Sequence, residues 1–182
     1  LLYVERWLKA SLQREDGVIE ARDKGTPQGG VISPLLANIF LHHVFDEWIK
    51  TTYPILGFER YADDILVHCR TEKEARYIRS RIEERLRRCK LEVNTSKTKI
   101  VYCKDDRRPG KYEHTSFDFL GYTFRPRQCR SKEGHLYVKF SPAVSVKSKK
   151  KIGKEIRRKR IHLWVSASLE SIANELNPVI RG

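Results

Sequence analysis

Phe58-Glu59-Arg60-Tyr61-Ala62-Asp63-Asp64-Ile65-Leu66-Val67-His68-Cys69 decides how this chain is read. Phe58 to Ala62 and Ile65 to Cys69 have the apolar, strand-forming texture of paired strands, with two carboxylates between them. The layout predicts a β-hairpin with Asp63-Asp64 as a two-residue acidic turn. Adjacent carboxylates repel each other and lose hydration as their surroundings dry out. A divalent cation relieves both problems, and Mg2+ prefers hard oxygen ligands of this type. Plain solvation is the competing explanation, because Asp is common in turns.

Upstream of the hairpin, Lys24-Gly25-Thr26-Pro27-Gln28-Gly29-Gly30 packs glycine and proline too densely for a regular element. Ser33-Pro34 then reads as an N-cap with proline at the first helical position, opening a helix through Leu35, Leu36, Ile39, Phe40, Val44 and Trp48 to near Lys50. Before the glycine-rich block, Leu1, Val4, Leu8 and Leu12 predict a helix over 1–14 with one buried stripe. Asp16-Gly17 marks a turn, and Val18 to Arg22 a short strand.

Downstream, Thr71-Glu72-Lys73-Glu74 is a capping box. The helix after it places Ala75, Ile78, Ile82, Leu86 and Cys89 on one stripe. Leu91 to Val93 and Ile100 to Cys103 are expected strands around Asn94-Thr95-Ser96-Lys97, and Lys104 to His114 a loop. Phe117 to Phe124 and Leu136 to Phe140 form a second expected strand pair. From Ser141 the texture changes: residues 147–160 hold nine basic side chains and one acidic. A final helix is expected over Leu169 to Leu176, stopped by Asn177-Pro178.

Composition narrows the function classes. Thirty-seven Lys and Arg against 23 Asp and Glu give a net charge of +14 over 182 residues. Such an excess repels itself unless a polyanion relieves it, and nucleic acid is the natural partner, because neutralised phosphates release counterions. A charge run can also be only a solvated face. No apolar run approaches the ~18 residues that cross a bilayer, and no signal-peptide layout opens the chain, which implies a cytoplasmic protein without a membrane role. Cys69, Cys89, Cys103 and Cys129 form no metal-ligand spacing and are expected to be reduced and structural. The chain has no Met, so we expect a fragment of a longer protein.

Tyr61-Ala62-Asp63-Asp64 between two hydrophobic strands resembles the YADD box of reverse transcriptases. About thirty residues upstream, the run from Gly25 to Ile39 resembles the loop and helix that precede that box in group II intron enzymes. Leu91-Glu92-Val93-Asn94 with Lys97-Thr98-Lys99, then Phe117-Asp118-Phe119-Leu120-Gly121-Tyr122, are similar to the next two blocks. Ile172 to Gly182 is similar to the thumb, or maturase, region. The blocks stand in the family's order along nearly the whole chain.

The resemblance implies an α+β fold: an antiparallel palm sheet with packed helices over 1–140, then a small all-α thumb segment over 141–182. It implies an RNA-directed DNA polymerase that uses Mg2+, with Mn2+ able to substitute, on an intron RNA template with a DNA primer or target DNA and deoxynucleoside triphosphates. Asp63 and Asp64 become metal ligands in a two-ion site. Gly25, Thr26, Pro27, Gln28, Gly29, Gly30, Tyr61 and Ala62 line the nucleotide and template. Lys97, with Lys99 an equal rival by spacing, becomes a proton donor to pyrophosphate. Phe119, Leu120, Gly121 and Tyr122 become the primer grip. Lys147, Lys149, Lys150, Lys151, Lys154, Arg157, Arg158, Lys159 and Arg160 become an RNA-binding surface. These polymerases also need an Asp upstream of the glycine-rich block. Asp16 lies in a turn and Asp23 adjoins the loop, so the fragment alone is expected to be inactive. Two alternatives remain: a non-enzymatic maturase that binds intron RNA as a splicing cofactor, and a retron or defence-system reverse transcriptase. Oligomeric state is open.

Overall fold

The computed structural model describes residues 2–13, 16–20, 25 and 31–181. It is an α+β chain of antiparallel sheets and packed helices, in two compact units, Leu1–Thr98 and Lys99–Gly182.

In the first unit, helix α1 (Leu2–Lys9) is followed by a minimal antiparallel pair, β1 (Leu12–Gln13) and β2 (Ile19–Glu20). The connecting turn has Gly17 at φ 83° and the Asp16 carboxylate accepting the Val18 N–H at 3.1 Å. The expected helix over 1–14 is therefore shorter, and Leu12 is in a strand. Its stripe is not buried either: Leu2, Val4 and Leu8 are exposed. Residues 26–30 of the glycine-rich block lie outside the described residues.

Helix α2 (Ser33–Leu41) starts one residue earlier than expected. Ile32 already has near-helical dihedrals and is the N-cap, with Pro34 in the first turn. The single helix read to Lys50 is three segments: α2, a π-helical turn over His42–Asp46, and α3 (Glu47–Thr52). The π turn widens the helix where it meets the core, as such insertions do near functional sites. Phe45 and Ile49 are fully buried there, and Val44 nearly so. Phe45 meets Phe58 edge-on, with ring centroids 5.4 Å apart.

The hairpin consists of β3 (Phe58–Tyr61) and β4 (Asp64–Val67), with Phe58 opposite Val67 and Tyr61 opposite Asp64. Asp64 is thus a strand residue, and the two-residue turn is Ala62-Asp63 rather than the expected Asp63-Asp64. The shift follows from Ala62, which takes φ 52°. Positive φ at the first central residue alone is the sign pattern of a type II′ turn, whose twist matches that of the strands.

Helix α4 (Glu72–Arg88) is capped as read: Thr71 Oγ1 accepts the Glu74 N–H at 3.1 Å. The reciprocal half of the box is displaced by one residue, since Glu74 accepts from the Arg70 N–H at 2.6 Å. Ile78 and Leu86 are buried on the inner face. Arg85 Nε donates to the Val44 carbonyl at 3.0 Å, fastening α4 to the π turn.

The expected strands at 91–93 and 100–103 are absent among the described residues. Leu91 N–H donates to Leu86 O at 2.9 Å and Lys90 N–H to Arg87 O at 3.0 Å, with Lys90 at φ 60°. This is a Schellman motif, so Leu91 terminates α4 and has no N–H left for a ladder. Asn94 then closes a turn by accepting from the Lys97 and Thr98 N–H groups.

The second unit carries a three-stranded antiparallel sheet in the order β5 (Phe117–Phe119), β6 (Tyr122–Arg130), β7 (Leu136–Val144). Phe117 stacks on Phe124 at 4.9 Å and lies against Phe140 at 6.1 Å. Pro126 is tolerated in β6 because β5 pairs only as far as Phe124, leaving that side an edge. Helix α5 (Val146–Arg158) begins at Ser145, whose hydroxyl accepts from the Ser148 N–H at 3.1 Å. The change of texture at Ser141 thus falls within β7, shortly before α5. The last helix, α6 (Leu169–Arg181), runs through Pro178 rather than stopping at it. Proline there removes one bond close to the helix end, where the loss is smallest.

Candidate active site

The acidic turn is held by a single arginine. Arg60 on β3 forms a two-pronged ion pair with Asp46 in the π turn: Nε to Oδ1 at 2.7 Å and Nη2 to Oδ2 at 2.6 Å. Its Nη1 donates to Asn38 Oδ1 on α2 and to the Ala62 carbonyl in the turn, each at 2.9 Å. Asn38 is oriented in turn by donating Nδ2 to the Pro34 carbonyl at 3.0 Å, which leaves Oδ1 facing the guanidinium. One planar fork therefore joins α2, the π turn and the hairpin tip.

The pair is largely dry, with the Arg60 and Asp46 side chains 11% and 13% exposed. The Arg60 hydrogen bonds hold the Asp46 carboxyl below its usual range, with His42 adding a smaller effect in the same direction. Reciprocally, the Asp46 hydrogen bonds raise Arg60 further.

Asp63 and Asp64 are exposed at the tip, and among the described residues neither carboxylate has a hydrogen-bond or ion-pair partner. This donor set suits a hard divalent cation. It is incomplete, since no group of three or more His, Cys, Asp or Glu able to hold a metal occurs among the described residues. Tyr61 and Ala62 are exposed beside the pair. Of the glycine-rich block only Gly25 is described, at φ 65°; Thr26, Pro27, Gln28, Gly29 and Gly30 lie outside the described residues. Lys97 is exposed in the Asn94 turn, its N–H bonded to Asn94, and its ammonium makes no ion pair with the acidic tip.

In the second unit, Phe119 to Tyr122 form the β5–β6 turn. Leu120 at φ 50° and Gly121 at φ 82° give it the double positive φ of a type I′ turn. Leu120 and Tyr122 are about half exposed. Gly121 approaches α5 closely: its carbonyl accepts the Ser145 N–H at 2.9 Å, and a Cβ there would lie 2.9 Å from Ser148 Oγ. Along α5, Lys147, Lys149, Lys150, Lys151, Lys154, Arg157 and Arg158 are exposed, as is Arg160 after it. Arg158 is exposed but ion-paired with Glu155 in the same helix, whereas Lys159 is half-buried and ion-paired with Glu175 of α6.

Asn38, Asp46 and Arg60 gained no role from sequence. The available signals were an Asp within an otherwise apolar helix face and an Arg directly before the Tyr-Ala-Asp-Asp run.

The family model for reverse transcriptase (RNA-dependent DNA polymerase) matches residues 2–124. Protein YkfC of Escherichia coli (strain K12) is 30% identical over a 155-residue alignment that covers 67% of this chain and 37% of YkfC. The chain thus spans little more than a third of that relative's length.

Proposed function

Because the chain belongs to the reverse transcriptase (RNA-dependent DNA polymerase) family, we propose that it is part of the RNA-directed DNA polymerase of a group II intron. The substrates are an intron RNA template, a DNA primer or target DNA, and deoxynucleoside triphosphates, and the site of action is the cytoplasm. Residues 1–140 contribute to the palm, and 141–182 begin the thumb. No described helix is long and apolar enough to cross a membrane.

The observation that carries this reading is the pair of exposed carboxylates, without a partner among the described residues, on a hairpin tip braced by Arg60. Asp63 and Asp64 are the residues that would hold Mg2+, or Mn2+ in its place. Bound there, the cation would supply charge stabilisation at the reacting phosphate and acidify the primer hydroxyl. The protein's own work is positioning, which dominates catalysis of phosphoryl and nucleotidyl transfer. Gly25 to Gly30, with Tyr61 and Ala62, border the nucleotide and template; Phe119 to Tyr122 grip the primer; Lys97 gives a proton to the departing pyrophosphate.

The exposed basic face of α5 supports an accompanying role in binding intron RNA. It also supports the second reading, a non-enzymatic maturase. One experiment separates the two: primer extension and RNA binding by the protein expressed from its complete gene, with and without Mg2+. Asp63→Asn should abolish nucleotide addition and leave RNA affinity unchanged. RNA binding lost in proportion to activity would overturn the metal assignment. A wild-type protein that binds intron RNA tightly and adds no nucleotide with Mg2+ would favour the maturase.

A further inference from the structure

We propose that Asn38, Asp46 and Arg60 are positioning residues that fix the Ala62-Asp63 turn and thereby set how tightly Asp63 and Asp64 hold a divalent cation. The inference rests on the metal-binding reading above and adds residues that do not touch the cation.

Three observations carry it. The turn contains a strained residue: Ala62 has φ 52°, a region that disfavours any side chain with a Cβ. Such a conformation persists only where its surroundings over-determine it. Here the restraint is visible, because Arg60 Nη1 grips the Ala62 carbonyl itself, at 2.9 Å. The guanidinium cannot swing away, being fixed on its other edges by both Asp46 oxygens and by Asn38.

The network also governs charge. Arg60 stands three residues from Asp63, and a free guanidinium there would compete with a cation for the acidic tip. Paired with Asp46 it is neutralised locally, so the two tip carboxylates keep their negative charge for a ligand. Asn38 completes the fork with a neutral acceptor. Through Asn38 this link also ties the middle of α2 to the tip.

Asn38 gives a clean test because it is exposed and stands in a helix that alanine favours. Asn38→Ala removes the Arg60 acceptor and the bond to Pro34 together. Asn38→Asp keeps an acceptor for Arg60, loses the donor to Pro34 and adds a negative charge that its bond to the guanidinium offsets in part. In the protein expressed from its complete gene, Mn2+ is titrated without nucleotide, and free ion is followed by electron paramagnetic resonance. Primer extension is measured in parallel. Asn38→Ala should weaken Mn2+ binding about threefold or more and lower kcat, with KM for the template-primer unchanged, as expected for one lost hydrogen bond to a charged group. Asn38→Asp should stay within about twofold of wild type.

Equal losses in Asn38→Ala and Asn38→Asp would assign the effect to the helix bond and overturn the proposal. So would wild-type Mn2+ binding in Asn38→Ala, provided that Asp63→Asn in the same series loses binding. If Asp63→Asn itself keeps full Mn2+ affinity and activity, the metal-binding reading beneath the proposal falls instead.

Discussion

Removing Asp46 and Arg60 together should cost the chain far less than the sum of removing each alone. In Asp46→Ala, Arg60 loses two charge-assisted hydrogen bonds, at 2.7 and 2.6 Å, and is left in a largely dry position. Breaking a fully buried ion pair from one side costs about 3–5 kcal/mol. Both side chains here keep a little over a tenth of their surface in water, so we expect about 2–3 kcal/mol. Arg60→Met should cost somewhat more, about 3–4 kcal/mol, because the bonds to Asn38 and Ala62 go as well. The double variant leaves neither charge stranded and should cost about 3–4 kcal/mol rather than the sum, a coupling of roughly 2–3 kcal/mol. The assay is urea unfolding read from Trp48, which packs on Phe45 and Tyr53, with Trp7 and Trp164 replaced by Phe. The pair also predicts a pH dependence. Because Asp46 is held below its ordinary 3.8, the unfolded chain binds more protons there, and the stabilisation is complete above that value. It is lost as pH falls through the lowered folded value, so the gap between wild type and Asp46→Asn should close on acidification. Additivity of the two single losses to within about 0.5 kcal/mol, with a gap that ignores pH, would refute the reasoning.

Thr71→Ala deletes the N-cap acceptor of α4 and should lower stability by about 1 kcal/mol in the same urea assay, with helicity loss by circular dichroism confined to a turn. Gly121→Ala forces a side chain to φ 82°, at about 1–2 kcal/mol. Adding Ser148→Ala should recover little of that loss, since the hydroxyl 2.9 Å away can rotate and the backbone cannot. Neutralising Lys147, Lys150, Lys151 and Lys154 to Gln should flatten the salt dependence of RNA binding by about 3 in log–log slope. An unchanged slope would make the basic run of α5 a solvated face.

What could be read from sequence was whatever local chemistry decides. The capped start of α4 was legible because Thr71 and the residues it serves are neighbours in the chain. The hairpin was legible because apolar runs flank a polar pair, yet its turn fell one residue early. Turn position depends on which residue accepts positive φ, and Ala62 is an improbable choice on propensity alone. The strand expected at 91–93 failed for another local reason. A Schellman ending with Lys in place of Gly gives no compositional sign that Leu91 belongs to the helix terminus. Pro178 was over-read as a stop, because a proline near a helix end removes only one bond. The Arg60 network was not legible at all: its partners lie 14 and 22 residues away, and only the fold brings them together.

The physical logic of the tip lies in where charge is cancelled and where it is left. The chain carries +14, so any unpaired carboxylate has cations to attract. Much of helix α4 shows this, with Arg76 paired to Glu72, Arg79 to Glu83, and Arg81 and Arg88 to Glu84. Asp63 and Asp64 stay unpartnered among the described residues although an arginine stands in the adjoining strand. Asp46 explains the exception, since it claims that arginine from the π turn, in a site dry enough to hold it. A carboxylate buried in a helix and two left without a partner among the described residues at the hairpin tip are therefore one arrangement, in which the first would keep the second open to a cation.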